Sequence, residues 1–333
     1  SWFNHATGKA PEATPLYFDG VLRASTKIAF AAEPELKIEE DETLWCTPRG
    51  QVGALENTRT VFDFTRSKSR QLAAVRQPLT GEALRAAVSD VLKLPETPGH
   101  PPDYRNWRYL GSRDYPTPFA MAYTIETEPP AQAIVYRLTE ERWHSRPPAA
   151  GNRAVLYISH LSSDQELRVE PIVREVFGQE AEVPFFTCDV RGIGESKPAT
   201  SEPGSFHEPY GSDYFYAIHS LMLDRPYLGQ KTWDVLRVLQ WMKSVGHGEV
   251  HLVGLGWGAI VATFAAVLSD QVVQVTLKHP LTAYQDVAES EEYNWPLSTM
   301  LPNLLAEFDL PDCYAELESK DLRIIEPWGP MGG

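Results

Sequence analysis

The segment His251-Leu252-Val253-Gly254-Leu255-Gly256-Trp257-Gly258-Ala259 sets an apolar strand directly against a helix. A tight turn of this kind, flanked by glycines at 254 and 258, lifts its central residue above a sheet and commonly presents a nucleophile for acyl transfer. Here the central residue is Gly256, which has no side chain and cannot attack a carbonyl. Thr263, the nearest Cys or Thr that could substitute, lies on the following helix about two turns on. The same residues also fit Gly-x-Gly-x-x-Ala, a dinucleotide-binding turn. That reading needs an acidic residue at the end of the next strand, where Lys278-His279 stand.

Other chemistry-bearing residues cluster upstream. Cys188-Asp189-Val190-Arg191-Gly192-Ile193-Gly194-Glu195-Ser196 has an Asp-x-Arg-Gly-x-Gly-x-Ser form. Asp189, Arg191 and Glu195 could be a reactive cluster, but charges at a strand end more often pair with each other or cap the turn. His160 follows a strand in Ile158-Ser159-His160-Leu161-Ser162-Ser163-Asp164, with Ser162 or Asp164 placed to cap the next helix. His207, His219 and His251 have no metal-ligand spacing, and Cys46, Cys188 and Cys313 form no CxxC pair. They read as polar or core histidines and as buried free thiols, with one disulfide left open. No metal and no cofactor is expected.

These residues need a scaffold, and the pattern supplies one. Residues 1–35 read as a terminal helix fragment and connector, and 36–102 as a small α+β region. That region combines β-rich runs at Glu42–Thr47 and Arg59–Phe64 with helical spacing over 66–93, and closes in the Pro-rich stretch 95–102. Strands are expected at 107–113, 119–128, 132–138, 154–159, 183–190, 250–254, 272–277 and 322–325. Helices are expected at 164–177, 229–245, 258–268 and 309–320. Short apolar strands alternating with helices imply a mainly parallel sheet covered on both faces over 103–333.

Composition narrows the function. The 333 residues are 43% hydrophobic and 23% charged, with a formal net charge of −15. Such a balance opposes nucleic-acid and anionic-membrane partners, which need clustered Lys and Arg. It suits solubility, a neutral sugar-like ligand or a basic protein partner. No apolar run reaches the roughly 18–20 residues that span a bilayer. The chain opens at Ser1 without methionine, which fits a mature, processed or arbitrary terminus.

The order and spacing of the two glycine-rich motifs resemble the α/β-hydrolase superfamily. Tyr210–Ala217, Leu221-Met222-Leu223, Pro226, Gly229–Asp234, Leu44–Val52 and Thr60–Asp63 are similar to its acetyl-xylan-esterase-like branch. The chain resembles the linker and serine-less C-terminal half of a tandem protein of that branch. The resemblance implies ester hydrolysis on acylated plant polysaccharide and an extracytoplasmic location. It also makes Gly254, Gly256, Trp257 and Gly258 a degenerate nucleophile elbow, and His160, Asp189, Arg191 and His279 a candidate vestigial pocket. His160 then occupies the loop that supplies an oxyanion donor. The triad order Ser, acid, His finds Gly256, then only Glu326 after the last strand, and no histidine beyond His279. The expectation is therefore a non-catalytic hydrolase-like domain supporting a catalytic unit. The alternatives are an esterase completed by another segment or chain, and a carbohydrate-binding module on a dead pocket. A second hydrolase-like unit or a homo-oligomer is the expected partner. Ser1–Gly8 reads as a remnant helix exposing Trp2 and Phe3, and the Tyr210, Tyr214, Phe215, Tyr216 cluster reads as core and interface packing.

Overall fold

The computed structural model describes residues 38–111, 113–142, 147, 151–200 and 203–332. The reading of Ser1–Gly8 lies outside them. The chain divides into two units, Ser1–Thr60 and Val61–Gly333. In the first, the described residues form one helical turn at Asp41–Leu44 and a 3-10 turn at Val52–Ala54, tied by the Thr58 hydroxyl to the Val52 carbonyl at 2.9 Å.

Strands predicted at Glu42–Thr47 and Arg59–Phe64 are not strands. The first run begins as the turn at Asp41–Leu44, whose acidic Asp41 and Glu42 suit a helix N-terminus. The second opens helix α1 (Val61–Val75), where Phe62, Arg66, Ser69 and Leu72 recur at helical spacing. Ser69 and Arg70 donate to the Glu289 carboxylate, so tertiary contacts outweigh the β-propensity of the opening residues. Helix α2 (Gly81–Val91) follows, burying Leu84, Val88 and Val91.

The strands are β1 (Tyr104–Leu110), β2 (Phe119–Glu128), β3 (Ala131–Thr139), β4 (Arg153–Ile158), β5 (Phe185–Asp189), β6 (Glu249–Leu255), β7 (Val272–Lys278) and β8 (Leu322–Ile325). They form one sheet in the order β1-β2-β3-β5-β4-β6-β7-β8. β1, β2 and β3 pair antiparallel, as do β3 and β5, and the pairings from β5 to β8 are parallel. The parallel half needs cover on both faces, and the sequence provides it. Helices α6 (Tyr227–Ser244) and α7 (Trp257–Leu268) pack with Val250, Leu252, Val275 and Leu277 on one face. Helices α3 (Ser163–Val169) and α4 (Pro171–Gln179) pack with Tyr157, Phe185, Val253 and Leu255 on the other.

One helix was expected over 164–177. Pro171 divides it, because proline has no N–H to give the preceding turn and suits the first position of a new helix. Helix α5 (Ser212–Met222) lies beside the β6–α7 junction, at the carboxyl end of a central strand, while helix α8 (Tyr284–Glu289) packs on α1.

Candidate functional site

β6 ends at Leu255 and α7 begins at Trp257, so Gly256 alone makes the turn. Its φ of 53° and ψ of −115° lie in a region L-residues rarely adopt. The turn is anchored by the Gly256 N–H on the Lys278 carbonyl at 2.9 Å. A side chain at Gly258 would run into the Ile158 carbonyl, and one at Gly254 would lie 2.7 Å from the Ala259 Cα. The three glycines thus keep the shape of a nucleophile-bearing turn, without the nucleophile.

His160 occupies the space a side chain at position 256 would take. A Cβ added to Gly256 would lie 2.6 Å from His160 Nδ1. That nitrogen accepts the Trp257 N–H at 3.1 Å, so the ring both fills the gap and satisfies the first donor of the helix. The imidazole meets Trp257 edge-on at 4.8 Å between centroids and Trp328 at 6.0 Å. Burial, with a smaller push from His207 and His279, lowers its pKa to about 4 and keeps it neutral.

The backbone donors beside His160 are spent as well. Glu166 of α3 accepts the N–H groups of His160 at 3.0 Å, Leu161 at 2.7 Å and Ser162 at 2.9 Å, and also the Tyr157 hydroxyl at 2.6 Å. Donors of this kind stabilise an oxyanion only when they are free to point at it. Here the Trp257 N–H is bound to a ring nitrogen and the loop N–H groups to a carboxylate.

The remaining sequence candidates fall into two groups. His279 follows β7 with φ 56°, stacks on Trp328 at 4.5 Å and 8°, and donates from Nδ1 to the Glu326 carbonyl at 2.9 Å. Trp328 therefore joins His160 and His279 into one aromatic plug, backed by Trp295 at 6.1 Å. Asp189 and Arg191 are fold clamps instead. The buried Asp189 carboxylate accepts the Ser159 hydroxyl at 2.9 Å and the N–H groups of Ser163 at 2.7 Å and Glu195 at 2.9 Å. Burial pushes its pKa up to about 6. Arg191 grips Asp234 through Nε at 2.9 Å and Nη2 at 2.6 Å, while Glu195 pairs with Arg108. Ser162 caps α3 by accepting the Gln165 N–H at 3.4 Å.

Sequence reasoning missed Trp328 and Glu166, and read His207 as a polar or core histidine without a site role. His207 meets Trp257 at 5.3 Å, has no partner on either ring nitrogen, and is lowered to about 4 by burial. It helps line a cavity of about 470 Å³ whose walls include Tyr210, Tyr214, Trp257, Tyr293 and Trp295. Among the described residues no group of three His, Cys, Asp or Glu side chains could hold a metal ion, and no helix is long and apolar enough to cross a membrane.

A mainly parallel sheet whose central strand passes through a positive-φ turn, here at Gly256, into a buried helix defines the α/β-hydrolase fold. One solved structure agrees with the fold. The chain is similar to a provisionally assigned acetyl xylan esterase from Bacteroides fragilis, at 16% identity and a TM-score of 0.58, over 85% of this chain and 76% of that one. Acetyl xylan esterases from a Paenibacillus species (16% identity, TM-score 0.43) and a Thermoanaerobacterium species (11%, TM-score 0.45) each match over 79% of this chain, and over 94% and 93% of their own. No protein-family model and no curated protein matches the sequence.

Proposed function

We propose that this chain is a non-catalytic α/β-hydrolase domain that works beside a catalytic hydrolase unit. The observation that carries this reading is His160, whose ring stands 2.6 Å from where a side chain at position 256 would begin and takes the Trp257 N–H. A base or acid delivered by another segment or chain would still meet a glycine and a closed donor set, which weighs against the esterase completed in trans. A partner surface is available on α5 and its C-terminal turn, where Met222 is 77% and Leu223 73% exposed.

The test is hydrolysis of p-nitrophenyl acetate by the purified chain, with Gly256→Ala as control. No saturable turnover is expected. Saturable turnover that disappears in the control would overturn the reading. Gly256→Ser is expected to remain inactive too, since the imidazole nearest its hydroxyl, His160, has its Nδ1 taken by the Trp257 N–H, and general-base help is typically worth about 10²–10⁴-fold.

A second reading rests on the cavity of about 470 Å³ beside Trp257. Aromatic walls with a few polar groups suit the apolar faces and hydroxyls of a sugar ring, so the domain would bind a carbohydrate without cleaving it.

A further inference from the structure

The charges around this cavity are one-sided. Among its lining residues the ionisable acids are Glu208 and Asp213, and no Lys or Arg is present. Asp213 is 4% exposed and already matched: Lys231, itself 3% exposed, lies 3.5 Å from its Oδ1 and 4.5 Å from the centroid of the Tyr227 ring. His207 is neutral, because burial holds its pKa to about 4. Lys197 sits 6.0 Å from the centroid of the Phe206 ring and is not part of the wall. Glu208 is exposed and has no ion-pair partner among the described residues, so it leaves one uncompensated negative charge at the cavity. The exposed rings of Tyr210 and Tyr293 add apolar faces for the ligand ring whatever its charge.

We propose that this cavity selects its ligand by charge: it favours a hydroxylated ring bearing an ammonium group over a neutral one and rejects a carboxylated one, with Glu208 setting the order. The inference rests on the ring-binding reading above and adds the class of ring. Its size follows from the interaction of two unit charges. At about 5 Å in a water-like dielectric each unit of ligand charge changes affinity by about fourfold, and more where the walls exclude water.

Three ligands share one ring and differ in charge: glucosamine, methyl glucoside and glucuronate. Titrated at about pH 6, where the amine is protonated and the carboxylate ionised, they are followed by the fluorescence of Trp257 and Trp295. Glucosamine should bind tightest and glucuronate weakest, with about fourfold or more between neighbours. Added salt should shrink the spread. Glu208→Gln should bring all three within about twofold, and Tyr293→Ala, at a ring already 54% exposed, should weaken all three alike without unfolding the protein. Affinities within twofold in the wild type, a reversed order, or an order unchanged by Glu208→Gln would overturn the charge rule while leaving ring binding intact. No saturable change with any of the three would remove the ring-binding reading, and the charge rule with it.

Discussion

Adding a single methyl group at the elbow tests the closure of the site most directly. In Gly256→Ala the new Cβ lies 2.6 Å from His160 Nδ1 and 3.1 Å from its Cε1 and Cγ. The ring cannot swing aside freely, because Trp257 and Trp328 flank it and the Trp257 N–H holds it. Two costs add. A non-glycine residue at φ 53°, ψ −115° costs about 1–3 kcal/mol in backbone strain. Displacing the ring from a backbone donor costs about 1–3 kcal/mol more. The sum is about 2–6 kcal/mol, which for a chain this long, at about 2.1 cal/mol/K per residue, lowers the melting temperature by roughly 3–9 °C. Urea unfolding followed by tryptophan fluorescence measures it, with an unchanged denaturant slope showing that the unfolded state is unaltered. The decisive comparison is the same substitution in a His160→Ala background, where the steric share vanishes and only backbone strain remains. The cycle should show a coupling of about 1–3 kcal/mol. Equal costs in both backgrounds, or a near-neutral single substitution, would show that His160 does not fill the nucleophile's place.

Two further outcomes follow from the same geometry. His160 titrates at about 4 in the fold against about 6.5 unfolded, so the unfolded chain binds the extra proton first; stability is lost as pH falls from about 6.5 to 4, by roughly 3 kcal/mol in all. Asp189, raised to about 6, works in the opposite direction between about pH 4 and 6, so the check is the difference in urea stability between wild type and His160→Gln across that range. A difference that stays flat with pH would refute the assignment. For the partner surface, light scattering on natively expressed protein should give a mass above that of one chain, falling in Met222→Glu/Leu223→Glu; a monomer in both would refute it.

The parallel half of the sheet was legible because its strands are continuous apolar runs. Ala154–Ile158 and Val250–Leu255 are buried throughout, and apolar runs this short, set between helices, read as buried strands. The elbow was legible because three glycines crowd one strand end, and each answers to a close approach or a positive φ. What surrounds the elbow was not legible. Trp328 and His207 reach His160 and Trp257 across separations no periodicity encodes, and a histidine after a strand looks the same whether it lines a pocket or plugs one. Glu166 did leave a trace, four residues after the Ser162 cap, but its role depends on how the loop curls back over the first turn of α3. Phe62 and Phe64 misled for the converse reason: their β-propensity is local, whereas the contacts of Ser69 and Arg70 with Glu289 that hold the helix are not.

The elbow explains why several changes stand together. A glycine at position 256 leaves a void above the turn and an N–H at the head of a twelve-residue helix with nothing to bind. Both are costly inside a packed protein, the void through lost contacts and the donor through unmet desolvation. One neutral imidazole answers both, provided that burial keeps Nδ1 free of a proton and flanking rings hold it in place. Trp257 and Trp328 supply those rings, and Glu166 fixes the loop from which His160 projects. Accommodating a serine at position 256 therefore requires removing His160, freeing the Trp257 N–H and loosening the Glu166 clasp at once. Each of those steps alone leaves a strained or unsatisfied group, so the closed site is a local stability minimum that single substitutions do not reopen.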